Sequence, residues 1–251
     1  MKWFLKRKLT WKIAIISVVA SLPFIFLGFA FGANINGIVI GKAGVTLRSN
    51  EQIHITELDL ASFKSIDLSI ETATIEFRNS DKYGIEISGY EGDINWSLQG
   101  GHLKIESEQS KSIMILTLTP GRKRAKTNIT IYVPTDMQLE EVSINSSDGN
   151  ITLDATNAKS IQLISVFANV NLNNVKSESL TIKMTEGTFT GADLNTGILR
   201  YQNDFGTGSF ERVTAKTFTA ESIDGGISII DCNAEDVTVN SQFGSVFTNM
   251  N

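Results

Sequence analysis

The sequence contains very little cysteine, proline and histidine. Of its 251 residues, one is cysteine, three are proline and two are histidine. A single cysteine, Cys232, cannot form an internal disulfide, so no disulfide framework holds the fold together. Few prolines, with frequent Gly, Ser, Thr and Asn, favour many short strands joined by turns over long soluble helices.

Recognisable catalytic and metal-binding patterns are also missing. His54 and His102 have no histidine or cysteine neighbour at ligand spacing, which argues against zinc. Gly206–Ser209 is rich in glycine but is not followed by a helix, as a phosphate loop would be. Asp224-Gly225-Gly226 does not recur in tandem, as it would in a calcium-binding β-roll. We therefore predict no catalytic residue, no metal and no cofactor, and that the protein is not an enzyme.

Charge is distributed unevenly along the chain. Residues 1–33 carry five basic side chains and no acidic one, leaving 17 basic and all 27 acidic side chains to the rest, a net charge of −10 for that part. An acidic body argues against a nucleic-acid partner, because phosphate binding needs clustered Lys and Arg.

The longest uncharged run lies near the N-terminus. Residues 13–33 have no charged side chain, and a helix needs about 20 residues to cross a bilayer core. By the positive-inside rule, basic residues 1–12 are expected in the cytoplasm and the body outside. This predicts a single-pass anchor in the cell membrane. The alternative is a cleaved signal peptide, with Ala30-Phe31-Gly32 as a weak cleavage site.

From Leu139 the chain repeats every 19 residues without insertion or deletion. We write it as six rows that begin at Leu139, Ala158, Ser177, Thr196, Ala215 and Ala234, and number the columns from the first residue of each row. The fourth and sixth columns are largely apolar and the fifth is mostly polar, which indicates a strand with one buried face. The thirteenth and fifteenth columns predict a second strand. Cys232, in the eighteenth column among Val175, Leu194 and Val213, is expected to be buried.

The eleventh column is glycine in five rows out of six. This predicts a turn with positive φ or a very close backbone approach between the two strands. One such row cannot bury its apolar face alone, but stacked rows can. We therefore predict an all-β fold, a single-stack β-solenoid with 19-residue coils over 139–251. An antiparallel sandwich of hairpins is the alternative, although its loops usually vary in length.

Residues 58–138 are rich in strand patterns but lack the repeat, and we interpret them as a β meander that caps the stack. Expected strands there include Ser65–Phe77 and Ile113–Leu118. Residues 34–57, with several glycines, are expected to be a lead-in from the membrane.

Several segments resemble a known bacterial family. They are similar to the "putative adhesin" family, a β-strand-repeat domain of unknown function, and comprise Ser65–Ile70, Gly84–Tyr90, Ile129–Pro134, Leu139–Ile144 and Ser147–Ile151. The resemblance covers residues 58–251. It implies an extracytoplasmic domain, and some members are membrane-anchored proteins associated with envelope-stress operons of Gram-positive bacteria. It carries over no catalytic residue.

Two surface features are candidates for binding a partner. The tenth column alternates acid and phenylalanine: Asp148, Phe167, Glu186, Phe205, Asp224 and Phe243. Alternation avoids a ladder of like charges, or it forms an exposed aromatic strip for a glycan or protein. The other candidate is the basic run Arg122, Lys123, Arg124 and Lys126, which is a solvated hairpin tip or a site for an anionic polymer such as teichoic acid or for lipid headgroups.

These patterns favour a membrane-anchored, adhesin-like interaction module of the cell envelope that binds a cell-wall polymer or an envelope protein. A sensor or regulator of an envelope-stress system is the alternative, and a polysaccharide-active β-helix enzyme is a third. The last row, Ala234–Asn251, carries no evident cap, so its coil is expected to support weak self-association or to dock a partner.

Overall fold

The computed structural model describes residues 17, 19–21, 23, 38–41, 44–47, 52–90, 94–107 and 127–250. The chain divides into two compact units. One comprises Met1–Arg48 with Lys111–Arg122, and the other comprises Ser49–Ser110 with Lys123–Asn251.

In the first unit, the described positions 17, 19–21 and 23 are helical. Strands β1 (Ile38–Gly41) and β2 (Gly44–Leu47) form an antiparallel hairpin in which Ile38 pairs with Leu47. Within the described positions, no helix has the length and apolar character needed to cross a membrane. Most of the predicted anchor, 13–33, lies outside these positions.

The second unit is built almost entirely of strands, so the prediction of an all-β fold is confirmed. The strands are β3 (Gln52–Glu57), β4 (Ser65–Ser80), β5 (Gly84–Tyr90), β6 (Ile94–Gln99), β7 (His102–Ser107), β8 (Thr127–Pro134), β9 (Leu139–Asp154), β10 (Asn157–Asn173), β11 (Lys176–Asp224), β12 (Ile227–Ser241) and β13 (Val246–Met250).

Strands β9 to β13 pair in parallel with the register of the sequence repeat. Ile161 of β10 lies between Val142 of β9 and Leu180 of β11, each 19 residues away. The same offset joins Gly208 to Ile227 and Ile227 to Val246 further along. Residues of one column therefore lie above one another, and apolar columns become continuous buried ladders.

The two strand segments of one row face each other across this core. In the row 196–214, both segments belong to the continuous strand β11. Tyr201 and Phe210, from the sixth and fifteenth columns of one row, have ring centroids 5.1 Å apart. Phe210 also packs against Phe218 of the next row at 4.9 Å. Gly208 interrupts an apolar column because the Tyr201 ring occupies the space of its side chain, and a Cβ there would lie 2.7 Å from that ring.

The glycine column marks a close approach between rows, as the sequence indicated. A Cβ on Gly149 would lie 1.8 Å from the carbonyl oxygen of Ala73, and one on Gly187 would lie 2.1 Å from that of Ala168. Both glycines also have positive φ, +127° and +120°. A side chain at Gly149 or Gly187 would force successive rows apart.

The structure adds one row that the sequence analysis did not place in the repeat. Strand β4 pairs in parallel with β9, from Ser65 opposite Glu141 to Phe77 opposite Leu153. The expectation that 58–138 lacks the repeat is therefore wrong for β4. Its row has Ala73 in the glycine column, and residues 81–138 separate it from Leu139, so the period is not visible along the chain.

The other edge of β4 is covered by two strands from the intervening segment. β7 pairs in parallel with the first half of β4 and β8 with the second half. Antiparallel strands β6, β5 and β3 extend this end of the sheet. Residues 52–57, expected to belong to the lead-in, are thus the β3 strand of this cap, whereas the expected strand Ile113–Leu118 lies outside the described residues.

Candidate interaction surface

The tenth-column residues lie where each row bends between its two strands. Along a regular strand, side chains alternate between core and solvent. At the bend the eighth-column side chains point inward and the ninth and tenth both point outward. Ser146 and Ser165 are buried, whereas Asp148 and Phe167 are exposed.

Serine hydroxyls of the eighth column stabilise this bend. The Ser165 hydroxyl accepts a hydrogen bond from the Ala168 N–H at 3.1 Å, and Ser241 accepts one from the Gly244 N–H at 3.0 Å. The Ser146 hydroxyl donates to the Asp148 carbonyl oxygen at 3.1 Å. Together with the close approach at the glycine column, these bonds hold two consecutive side chains toward solvent.

We call the ninth- and tenth-column residues, which are exposed or partly exposed, the corner strip. Its three phenylalanines, Phe167, Phe205 and Phe243, are 55%, 51% and 79% exposed. Val166 and Ile223 of the ninth column add further exposed apolar surface. Asp148 pairs with Phe167 in the parallel register, so acid and aromatic side chains alternate at the row spacing of about 4.8 Å.

The corner strip carries charge of one sign. Its acidic residues are Asp148, Glu186, Asp204 and Asp224, and no row from Leu139 onward has Lys or Arg in columns eight to eleven. Some carboxylates elsewhere in the stack are paired with cations. Glu140 accepts a hydrogen bond from Lys159 at 2.7 Å.

The seventeenth column has a shared backbone conformation that the sequence analysis did not predict. Ala155, Asn174, Asp193, Arg212 and Asp231 follow one another there with φ between +46° and +55°. Three of them are Asn or Asp, which tolerate this left-handed region better than other residues, and that enrichment was the available signal. These residues form the corner after the second strand of each row.

Within this column Arg212 pairs with the row below. Its guanidinium donates to both carboxylate oxygens of Asp193, at 2.7 and 2.9 Å, and also contacts Glu211. Hydrogen bonding to Arg212 lowers the pKa of Asp193, and hydrogen bonding to Asp193 raises the pKa of Arg212. This bidentate pair links two adjacent rows at the surface.

The remaining candidates have simple positions. Cys232 is buried as predicted, and burial raises the pKa of its thiol. His54 is exposed on β3 and shares a hydrogen bond with Thr56, while His102 is exposed at the start of β7. The basic run Arg122, Lys123, Arg124 and Lys126 lies outside the described residues. Across 52–90, 94–107 and 127–250, no cluster of three His, Cys, Asp or Glu is placed to hold a metal.

Fold and surface together define a stacked, parallel β-rich domain with an exposed aromatic and acidic corner. A family model described as Toastrack DUF4097 matches residues 63–196, more than half of the 251-residue chain. The protein belongs to this family. The match begins two residues before β4, which places the added row inside the family domain.

The solved structures that match this chain share little sequence with it. One described as a putative adhesin, from Bacteroides fragilis NCTC 9343, is 17% identical and matches 79% of this chain and 97% of its own, with a TM-score of 0.41. A putative cell adhesion protein from Clostridium sporogenes ATCC 15579 is 11% identical over 80% of this chain and 100% of its own, with a TM-score of 0.49.

A third solved structure, described as a putative lipid binding protein from Parabacteroides distasonis ATCC 8503, is 12% identical. The match covers 80% of this chain and 98% of that one, with a TM-score of 0.36. No curated protein matches the chain.

Proposed function

We propose that this protein is a membrane-anchored, extracytoplasmic, adhesin-like module of the bacterial cell envelope, and that its stack is a β-solenoid presenting the corner strip to a partner. The observation that carries the proposal is the exposure of Phe167, Phe205 and Phe243 at one corner of successive rows. Large apolar side chains that recur on one exposed face are typical of interaction sites.

Membrane attachment is supported by the N-terminal sequence. The uncharged run 13–33 follows five basic residues, an arrangement that retains the N-terminus in the cytoplasm. Protease added to intact protoplasts is then expected to degrade the body beyond Asn34. A body that resists the protease until the membrane is lysed would contradict this topology.

Binding rather than catalysis is supported by the surface charges of the stack. Asp193 pairs with Arg212 and Glu140 with Lys159 across adjacent rows, so these groups serve to hold rows together. The acids of the corner strip are separated by phenylalanines and by the row spacing, which suits an extended contact with a partner.

In-cell photocrosslinking tests the proposed surface. A photoreactive phenylalanine analogue at position 167 or 205 is expected to crosslink to an envelope component. The same analogue at Asn171 or Thr190, which are exposed on the second strand away from the bend, serves as the matched control. Equal or absent crosslinking at both sets of positions would rule out the corner strip as the binding surface.

A further inference from the structure

The corner strip also indicates what kind of partner it would hold. Its tenth-column side chains are of two kinds, apolar and anionic. Phe167, Phe205 and Phe243 alternate row by row with Asp148, Glu186 and Asp224. A complementary partner therefore presents apolar and cationic groups alternately along one line, because unlike charges attract and like charges at contact distance repel.

The aromatic residues strengthen this choice of charge. The face of a phenylalanine ring attracts a cation by its quadrupole, so the phenylalanines are compatible with Lys or Arg on the neighbouring turns of the partner. An anionic polymer is disfavoured, since it would meet four carboxylates, Asp148, Glu186, Asp204 and Asp224, with no basic residue in columns eight to eleven.

The spacing of the rows favours a helix over a strand as the bound segment. An α-helix lying along the stack presents one side-chain position per turn, about 5.4 Å apart, close to the row spacing of about 4.8 Å. A β-strand presents side chains on one face at every second residue, about 6.6 Å apart. Its side chains would therefore lose register with the rows sooner than those of a helix. From Asp148 to Phe243 the strip is about 24 Å long, which a helix of about 16 residues spans.

We propose that the corner strip binds a cationic amphipathic helix of a partner protein, with basic and apolar side chains on alternate turns of one face. This inference rests on the proposed function and specifies the partner of the same surface. Basic residues then lie opposite Asp148, Glu186 and Asp224, and apolar residues lie opposite the three phenylalanines.

Binding of a synthetic peptide to the full-length protein tests the proposal. The protein is reconstituted in nanodiscs of zwitterionic lipid, and empty nanodiscs serve as the reference. The probe is a helical peptide of about 18 residues with Lys and Leu on alternate turns of one face. A peptide with the same residues in scrambled order and one with Glu in place of Lys are the control probes. We expect binding of the first peptide only, weakening as salt increases.

Two sets of matched variants separate charge from position. Asp148→Asn, Glu186→Gln and Asp224→Asn together are expected to weaken binding about tenfold, because three exposed ion pairs are lost. The control set is Glu141→Gln, Glu178→Gln and Glu235→Gln, which changes the net charge by the same amount. These residues lie in columns two and three, about 23 Å or more along the row from the tenth column. The control set is expected to leave the affinity for the peptide within about twofold of wild type. Phe167→Ser with Phe205→Ser is expected to weaken binding with the charges intact.

Each outcome bears on one of the two proposals. Equal binding of the scrambled peptide, equal effects of both acid-to-amide sets, or a cell-wall polymer binding the strip in place of the basic peptide would overturn the helix proposal. If corner positions crosslink in cells while the basic peptide does not bind, the interaction surface stands and only the partner class is wrong. Thermal unfolding of each variant shows whether the stack is intact.

Discussion

Arg212 donates two hydrogen bonds to the carboxylate of Asp193, which lies one row below it. The pair keeps Asp193 ionised, because the pKa of this carboxyl is lowered by its hydrogen bonds to Arg212. Stability from a lowered carboxyl pKa is present above the unfolded-state value and is lost as pH falls through the folded-state value. The same pair therefore gives a pH-dependent prediction.

Wild-type protein is expected to unfold at a higher temperature than Asp193→Asn at neutral pH. The difference should shrink as pH falls below about 3.9, the ordinary Asp value, and vanish at still lower pH. Calorimetry across this range checks it, with Asp136→Asn in the β8–β9 turn as the control. A difference independent of pH would show that the ion pair is not the cause.

Gly187 is expected to be intolerant of any side chain, although the same column accommodates Ala168 in the neighbouring row. Gly187→Ala places a Cβ against the Ala168 carbonyl and is expected to cost at least about 3 kcal/mol, because backbone must move. Gly100→Ala is the control, since its φ is also positive but no atom lies within 4 Å of the new Cβ. It should cost only about 1–2 kcal/mol, the left-handed penalty. Chemical denaturation measures both, and equal costs would contradict the close approach.

Replacing alanine by glycine should change the stability of the protein in opposite directions at two nearby positions. Ala155 has φ +46°, so Ala155→Gly relieves left-handed strain, and we expect a gain of about 0.5–1 kcal/mol after the entropy of the unfolded chain is counted. Ala158 is fully buried in β10, and Ala158→Gly should lose about 1 kcal/mol or more. Destabilisation by both would refute a strained corner at column seventeen.

The register of the core is tested by adjacent acidic substitutions. Leu180 is fully buried, whereas Thr181 is partly exposed. Leu180→Asp places an unpaired charge in the core and should unfold the domain. Thr181→Asp should be tolerated, with Arg200 in the same column of the next row. Circular dichroism shows whether each variant is folded. Similar stability of the two variants would show that the assigned register is wrong.

The β13 end of the sheet is expected to support weak self-association. β13 is the last strand in the order of the described sheet, and Val246 and Phe247 are 44% and 59% exposed. An uncovered strand edge with apolar side chains favours pairing with another chain. Sedimentation at increasing concentration should show association that Val246→Lys abolishes. A wild-type protein that stays monomeric throughout would refute this expectation.

The sequence by itself determined the strands and their faces from Leu139 onward. Its 19-residue period predicts that Val142, Ile161 and Leu180 share one buried ladder, and they do. It also singled out the glycine column and the alternation of acid and phenylalanine. Such features repeat at short range, so neighbouring rows reveal them without knowledge of the fold.

Only the tertiary structure decided where the stack begins and what each corner does. β4 joins the stack across an intervening segment because the uncovered edge of β9 pairs with it in register, and no local pattern predicts a pairing over that distance. Glycine fits at position 208 of an otherwise apolar column because the Tyr201 ring, from across the core, fills the space of a side chain there. The left-handed corner at Arg212 occurs together with its pairing to Asp193 in the row below, a contact that the identity of one residue does not encode.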